Sequence, residues 1–483
     1  MASESSGLFK SEDWWSVWIG LFIFVLSLGV MSNADLLGWG FKTNMWTNFS
    51  QVVSPISKNY GVMSGWISLF LTYIAFTAIL SVGVKALGGN IGKFVYGFTI
   101  IFWLTFLCVA IGHQANIAAN SPQAMEKFGL AWSLKLTGEA GLIVALLGGL
   151  IVGNFFPAFA ETLKEATRPE WYIKTAIVIL GALVGVKAAG ALGLATAVMF
   201  RGLCAIVEAY LIYWALVYWL SRKYFRFSKE WAAPLASGIS ICGVSAAIAT
   251  GGAIRARPIV PIMVSSLVVI FAVVELIFLP FLAQTVLYKE PMVAGAWMGL
   301  AVKTDGAAVA SGQIVDSLIR AKALAVDGVN YEADWIMNTA TTVKIFIDIF
   351  IGVWAFILAW VWCAYIECKP GEKIGAGEIW KRFPKFVIGY VFTFVFMLLL
   401  LLKVPDLKET AKMATGEANV FRSFFFALTF FSIGLVSNFK KLWEEGIGRL
   451  ALVYVISLFG FIIWIGLLIS WLFFHGVKPP MIS

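Results

Sequence analysis

Histidine is nearly missing from this chain of 483 residues: there are two, His113 and His475, each beside the end of an apolar run. That excludes a histidine-rich metal centre and most imidazole-based acid–base chemistry. Cysteine is scarce as well, with 5 in all and no CxxC pair, so neither a disulfide scaffold nor a zinc ribbon fits. Cys108, Cys204, Cys242 and Cys363 lie inside apolar runs and read as small apolar fillers, which leaves Cys368 as the interfacial thiol. Charged residues are thin at 13%, against about 25% in soluble domains. No phosphate-binding loop and no nucleophile elbow occurs. The chain is therefore not read as an enzyme, no cofactor is expected, and an ATP-driven pump acting alone is disfavoured.

What fills the space is apolar. Hydrophobic residues make up 60% of the chain, with 40 Phe and 21 Trp, which excludes disorder. No water-soluble core hides that excess under so little polar surface, so the solvent is lipid. The net charge of +9 sits in short loops beside apolar runs. Membrane topology and anionic headgroups explain it, and nucleic acid is not expected.

A spanning helix needs about 20 mostly apolar residues. Eleven runs qualify: 14–31, 61–84, 94–112, 140–156, 172–186, 203–220, 259–287, 337–366, 386–402, 421–436 and 450–474. The fold class is an all-α polytopic membrane protein. Two further stretches, 231–254 and 294–316, are apolar but full of Gly, Ser, Thr and Ala, and predict broken or re-entrant segments related by an inverted repeat. The expected organisation is an N-terminal extension with two helices (1–90), a transporter core (91–475) and a tail (476–483). The acidic start before the first run predicts a retained span rather than a cleaved signal peptide. A Ser-Pro step opening the loop 121–138 predicts a short interfacial helix.

Charge sets an orientation. Arg222, Lys223, Arg226 and Lys229 in one loop, and Lys369, Lys373, Lys381, Arg382 and Lys385 in another, belong inside, which puts the N-terminus in the cytoplasm. The stretch 316–334, with Asp316, Asp327, Glu332 and Asp334 against Arg320 and Lys322, suits the outside. Parity allows both Gly-rich stretches to cross or both to return. Arg255 and Arg257 lean toward return.

The polar centres of the two stretches are Ser240, Cys242, Gly243 and Ser245 in the first, and Lys303, Thr304, Asp305 and Gly306 in the second. Irregular backbone at membrane depth is tolerated only inside protein or against water. A break at Gly also frees N–H groups at the start of the next half-helix, where the dipole favours an anion. Close helix packing by small residues is the competing reading. Two such stretches, one with Lys303 and Asp305 at membrane depth, weigh toward a site. Thr341, Lys344 and Asp348 share one helical face and allow an internal ion pair. Glu275 lies deep in a span and is either paired, protonated or part of a coupling path. Glu208 and Arg201 lie nearer a span end, with Arg201 read as structural; Glu139 and Asn154 read as interfacial.

At these segments the chain resembles the UPF0324 family of bacterial inner-membrane proteins, also called the YeiH or sulfate-exporter family. The carrying residues are SGISICGVSAAIA (237–249), then GAWMG (295–299) leading into VASG (309–312). Weaker support comes from GLIVGN (149–154) with Pro157, LGALVGV (180–186), Val343 with Lys344, and FSIGL (431–435). The likeness covers about 91–475, which makes the first two spans an extension. Where the family has a His followed by an acid and then a Gln, this chain has Lys303, Asp305 and Ala307, and an Arg of the later helix is Ile347 here. The departure implies a different substrate or coupling ion from relatives in which the His–acid pair carries substrate or proton.

Together these readings predict a secondary transporter of a small, sulfate-like anion in the inner membrane, coupled to Na⁺ or H⁺. Ser240, Cys242, Gly243, Ser245, Lys303, Thr304 and Gly306 would meet the substrate. Asp305, Glu275 and Asp348 would handle the coupling ion, with Lys344 and Thr341 in support. The alternatives are a membrane subunit of a carboxylate-driven ion-pumping complex and an anion channel. The partners expected are the solute and the lipid bilayer, with a homo-oligomer left open.

Overall fold

A computed structural model describes residues 7–119, 122–134, 140–243, 245–257, 259–366, 384–437 and 448–482. Ser121, Glu139, Cys368, Lys369, Lys373, Lys381 and Arg382 lie outside them, as do the side chains of Ser245 and Cys363. In chain order the principal helices are α1 (Glu12–Ser27), α2 (Gly65–Ala86), α3 (Ile91–Gly112), α4 (Ala140–Phe155), α5 (Pro169–Gly190) and α6 (Leu192–Lys223). Then come α7 (Lys229–Ser240), α8 (Ser245–Ala253), α9 (Ile259–Val286), α10 (Pro291–Ala301) and α11 (Asp305–Asp327). The last are α12 (Trp335–Ile349), α13 (Ile351–Tyr365), α14 (Phe386–Lys403), α15 (Lys408–Val436) and α16 (Gly448–Phe474).

Every one of the eleven apolar runs is helical, as a backbone in lipid must be to bond its own amides. Ten of these helices are long and apolar enough to span; α4, at 16 residues, is the eleventh. Local chemistry starts several of them. Ser11 accepts from the Trp14 amide at 3.3 Å at the head of α1, and Asn90 accepts from the Lys93 amide at 2.9 Å at the head of α3. The short helix expected in the loop 121–138 is Pro122–Lys127. Among the described residues the strands form one antiparallel ribbon, Phe41–Thr43 with Val53–Pro55.

The chain divides into two compact units, Met1–Ala195 with Lys385–Val436, and Thr196–Pro384 with Ser437–Ser483. The first unit is closed by small residues and rings. A Cβ on Gly149 of α4 would lie 2.0 Å from the Phe431 carbonyl oxygen of α15, so only glycine permits this approach. Phe76 stacks on Phe425 at 4.6 Å, and Phe102 meets Phe424 at 4.7 Å. The first two helices pack within this unit: Gly20 lies against Val178 and Gly83 against Trp171, while Lys174 holds Asp13 at 2.8 Å.

The second unit is organised along α9. Gly251 of α8 lies against Pro261, Gly238 against Val264, and Gly243 against Val268. Further along, Glu275 accepts from the Lys303 amide, and Gln284 donates to the Leu318 carbonyl. Helices α7 and α8 therefore form a hairpin that enters from one end of α9, and α10 and α11 form a second that enters from the other. At the first base, Glu230 takes the Arg257 amide and guanidinium at 2.8 and 3.0 Å, and higher up Thr250 donates to Ser237 at 2.7 Å. At the second base the Lys322 ammonium donates to the Gln284 carbonyl and covers the Tyr288 ring, just before α10 begins. Both Gly-rich stretches thus return to the side they came from, in the sense that Arg255 and Arg257 suggested. From Pro261 to Gln284, α9 rises about 35 Å, close to the thickness of a bilayer core. The two tips lie beside its middle.

Two sequence expectations change. Asp316 is no outer-loop residue: α11 continues to Asp327, and Asp316 is buried within it. Its carboxylate takes the Ile336 amide at 3.1 Å near the head of α12 and the Arg320 guanidinium at 2.6 Å. Cys242 is no apolar filler either, because its thiol donates to Asp305 at 2.9 Å. A hairpin tip turns it toward a carboxylate.

Candidate functional site

Helices α7 and α10 both end in the interior, and the carbonyls of a last turn have no partner in their own helix. Lysine supplies the donors. The Lys344 ammonium of α12 reaches the Ile241 carbonyl at 2.6 Å and the Lys303 carbonyl at 3.5 Å. The Lys303 ammonium turns back to the Leu300 carbonyl and lies 4.4 Å over the Tyr213 ring. Cations at helix C-termini also oppose the negative dipole end. The tips are joined directly, since the Gly243 amide donates to the Lys303 carbonyl at 2.7 Å. No side chain fits at that junction: a Cβ on Gly243 would lie 2.3 Å from Val268.

The returning half-helices begin at the same place. Thr304 caps α11, its hydroxyl accepting from the Ala307 amide at 3.2 Å, and Asp305 occupies the first turn where a negative charge suits the dipole. Gly306 follows, buried. Ser245 begins α8, and just before the break Ser240 is buried with a hydroxyl that has no hydrogen-bond partner among the described residues.

Charge concentrates here. Lys344 lies 3.7 Å from Asp305 and 3.9 Å from Asp348, all three sealed from solvent. Ligand atoms of Cys242, Asp305 and Asp348 lie within 4.8 Å of one another, so the trio is also a geometrically plausible cation cage. Glu275 receives the Tyr454 hydroxyl at 2.6 Å and the Lys303 amide at 3.2 Å. The tip cluster thus gathers Ser240, Cys242, Gly243, Lys303, Thr304, Asp305, Gly306, Glu275, Lys344 and Asp348. Thr341 is on the same helix but its hydroxyl donates to the Met337 carbonyl at 2.9 Å, one turn back. Arg201 donates to the Phe473 carbonyl, and the Asn154 amide to the Leu150 carbonyl.

Sequence reasoning ranked Glu208 too low. It lies in a π turn, Glu208–Tyr213, and is fully buried next to Tyr213. A second π turn, Leu458–Ile462, interrupts α16. The Tyr213 hydroxyl donates to the Ile462 carbonyl at 2.8 Å, and the Trp297 indole donates to the Ile463 carbonyl at 2.9 Å. Such turns shift the ladder and leave carbonyls open to outside donors. Tyr210, Tyr213 and Tyr454 were likewise missed. Regular spacing hid them, and only the aromatic density around Glu208 hinted at a polar–aromatic lining.

Comparison with known proteins agrees with a membrane role and goes no finer. Residues 129–453 match the family described as "Conserved hypothetical protein 698". A UPF0324 membrane protein of Nitrosomonas europaea is 44% identical over 482 residues, 99% of this chain and 98% of its own. An uncharacterized protein of Archaeoglobus fulgidus is 55% identical over 163 residues, 30% of this chain and 87% of its own. A UPF0324 membrane protein of Nitratidesulfovibrio vulgaris is 29% identical over 425 residues, 86% of this chain and 65% of its own. No solved structure matches the chain.

Proposed function

The chain belongs to the UPF0324 family of membrane proteins, and from that premise we propose that it is a secondary active transporter of a small, sulfate-like anion, coupled to a cation. One observation carries the reading: two hairpins entering from opposite ends of α9 meet at a buried, charged break. Unwound backbone and fixed charge at that depth are costly, and solute pathways are where membrane proteins bear that cost. Opening either hairpin would expose the same tip cluster to a different side, which is alternating access.

The coupling follows from electrostatics. Lys344 now sits beside the carboxylates of Asp305 and Asp348. A Na⁺ or H⁺ arriving at Asp305, Asp348 and Cys242 would take over its role as counter-charge. The ammonium would then be available to an anion held by Ser240, Ser245 and the first amides of α8. Cation and anion enter together because neither charge alone is stable in a low-dielectric interior. The basic residues Arg222, Lys223 and Lys229 share the base of the first hairpin with Arg255 and Arg257, which favours that end, and the N-terminus, on the cytoplasmic side of a bacterial inner membrane.

A second reading has its own support. Five carboxyls (Glu208, Glu275, Asp305, Asp316, Asp348) outnumber two lysines in this interior, which suits cation movement without an anion, as in a subunit of an ion-pumping complex. Purified chain in proteoliposomes separates the two. Radiolabelled sulfate uptake is measured beside sulfite and small carboxylates, under an inward Na⁺ or proton gradient. Gradient-driven anion uptake, cut by Lys303→Ala and by Ser245→Ala at equal amounts of folded protein, supports the transporter. Cation flux without any anion supports the second reading, and flux of neither kind overturns both.

A further inference from the structure

We propose that Glu208, separate from the Cys242, Asp305 and Asp348 cage, is a proton-binding site of this protein and the point at which a pH gradient is coupled to transport. The second half of the proposal rests on the transporter reading; the first does not. The argument is one of donors and acceptors. Glu208 is sealed from solvent, and neither carboxyl oxygen has a hydrogen-bond partner among the described residues. The nearest hydroxyl is that of Tyr213, and a Cβ built on Gly466 would touch both Tyr213 Oη and Glu208 Oε1, at 2.7 and 3.4 Å.

A tyrosine hydroxyl has one proton to give. Tyr213 commits it to the Ile462 carbonyl, beside the Trp297 indole that donates to the next carbonyl, Ile463. Toward Glu208 the phenol oxygen can then only accept, so the proton of any bond between them must belong to the carboxyl. An ionised carboxylate in that place would gain a donor only by drawing the Tyr213 proton away from the Ile462 carbonyl, and without that it is a buried charge facing an acceptor, a costly arrangement. Glu275 shows the contrast, with a hydroxyl and a backbone amide both donating to it.

The groups facing Glu208 define how the proton would leave. On its own helix they are Cys204 and Tyr213; from the second hairpin it is Lys303; from α16 the neighbours are Gly466 and the Ile462 carbonyl rather than an ionisable side chain. The Lys303 ammonium is the only cation of that set, and it now points to the Leu300 carbonyl across the Tyr213 ring. A change at the second tip that swings Lys303 toward Glu208 would supply the missing counter-charge. The carboxyl O–H bond then breaks and its proton passes to water in the open pathway. Glu208 is left as a carboxylate paired with Lys303, and the reverse movement restores the proton. One proton moves per swing of one lysine.

The test has two arms on the full-length chain. In infrared difference spectra of purified protein at neutral pH, wild type minus Glu208→Gln should contain a protonated-carboxyl C=O band. Identical spectra in that region would overturn the proposal. Should the glutamine variant not yield folded protein, Tyr213→Phe serves, since removing the acceptor should shift that band, and an unshifted spectrum counts against the assignment. In proteoliposomes, sulfate uptake by Glu208→Gln should be the same with and without a pH gradient, while wild type loses uptake when the gradient is removed. Persistent gradient dependence in the variant would show that the coupling proton binds elsewhere. If wild type carries no sulfate, the transport reading fails while the infrared arm still decides whether Glu208 holds a proton.

Discussion

The two units stabilise helices in lipid by opposite means. In the first, α4 meets α15 through Gly149 and Gly434, α5 meets α14 through Gly181, and rings such as Phe76, Phe102 and Phe425 fill the remaining space. Its buried charges among the described residues are Lys385, Glu417 and Arg422, the last lying on Phe426. In the second, glycines also allow close contact, as Gly295 does against Ile336 and Gly299 against Ala340. Yet that interior holds Glu208, Glu275, Lys303, Asp305, Asp316, Lys344 and Asp348. Glycine content alone therefore does not distinguish a packing surface from a site. Glycine at the end of an interrupted helix, with a fixed charge capping it, does.

The comparison breaks first if Lys344 is dispensable. Lys344→Ala takes the 2.6 Å donor from the Ile241 carbonyl and the ammonium from two carboxylates, which should cost about 3–5 kcal/mol. Thermal unfolding in detergent measures it, and adding Asp348→Asn should recover part of the loss because the pair acts together. A stable Lys344→Ala would mean the second interior is not held by charge. Next in size is Gly434→Val in the first unit, where a Cβ would lie 2.3 Å from the Leu146 carbonyl oxygen. Overpacking of this kind should cost about 1–3 kcal/mol, with no change in how added Na⁺ or pH affects melting. Ion-dependent melting in that variant alone would blur the contrast between the units.

Smaller still is Tyr454→Phe, which deletes the 2.6 Å donor to Glu275 and should cost about 1.5 kcal/mol. It is read from the same melting curves, and no loss would show Glu275 to be held by other groups. The smallest effect is at the first hairpin base. Hydrogen bonds from the Arg257 side chain and amide hold the Glu230 carboxyl below its usual range. The stability this adds is present above the ordinary carboxylate range and is lost as pH falls through the lowered value. Glu230→Gln should therefore lose melting temperature near neutral pH and show a shallower acid decline than wild type. The difference is small because the pair meets water, and parallel pH profiles would argue against a closed base.

Much of the fold was legible because lipid imposes length and composition together. A run such as 259–287 has no other use than a long helix, and α9 ends within one residue of it. The breaks were legible as well, since Gly, Ser and Thr displace aliphatic residues at Ser240–Gly243 and at Thr304–Gly306. Return rather than crossing showed only as a lean from Arg255 and Arg257, because it depends on Glu230 finding Arg257 across 27 positions and on Lys322 finding Gln284 across 38. Periodicity placed Thr341 with Lys344 and Asp348 but could not say that its hydroxyl bonds its own helix. Glu208 was read only as a charge near a span end. It lies in a π turn, which no local sequence signal reports; the second such turn, in α16, likewise has its Ile462 carbonyl, and Ile463 beside it, taken by Tyr213 and Trp297 of other helices.

The central claim is that water reaches the joined tips during function, and Cys242 is a native reporter at that point. With Cys108, Cys204, Cys363 and Cys368 replaced by Ser, a small charged methanethiosulfonate is added to proteoliposomes and the labelling of Cys242 is followed by mass spectrometry. The account predicts slow modification that accelerates with conditions that drive flux and slows in saturating sulfate. A thiol that stays unmodified in every condition, in protein shown to be folded, would contradict it.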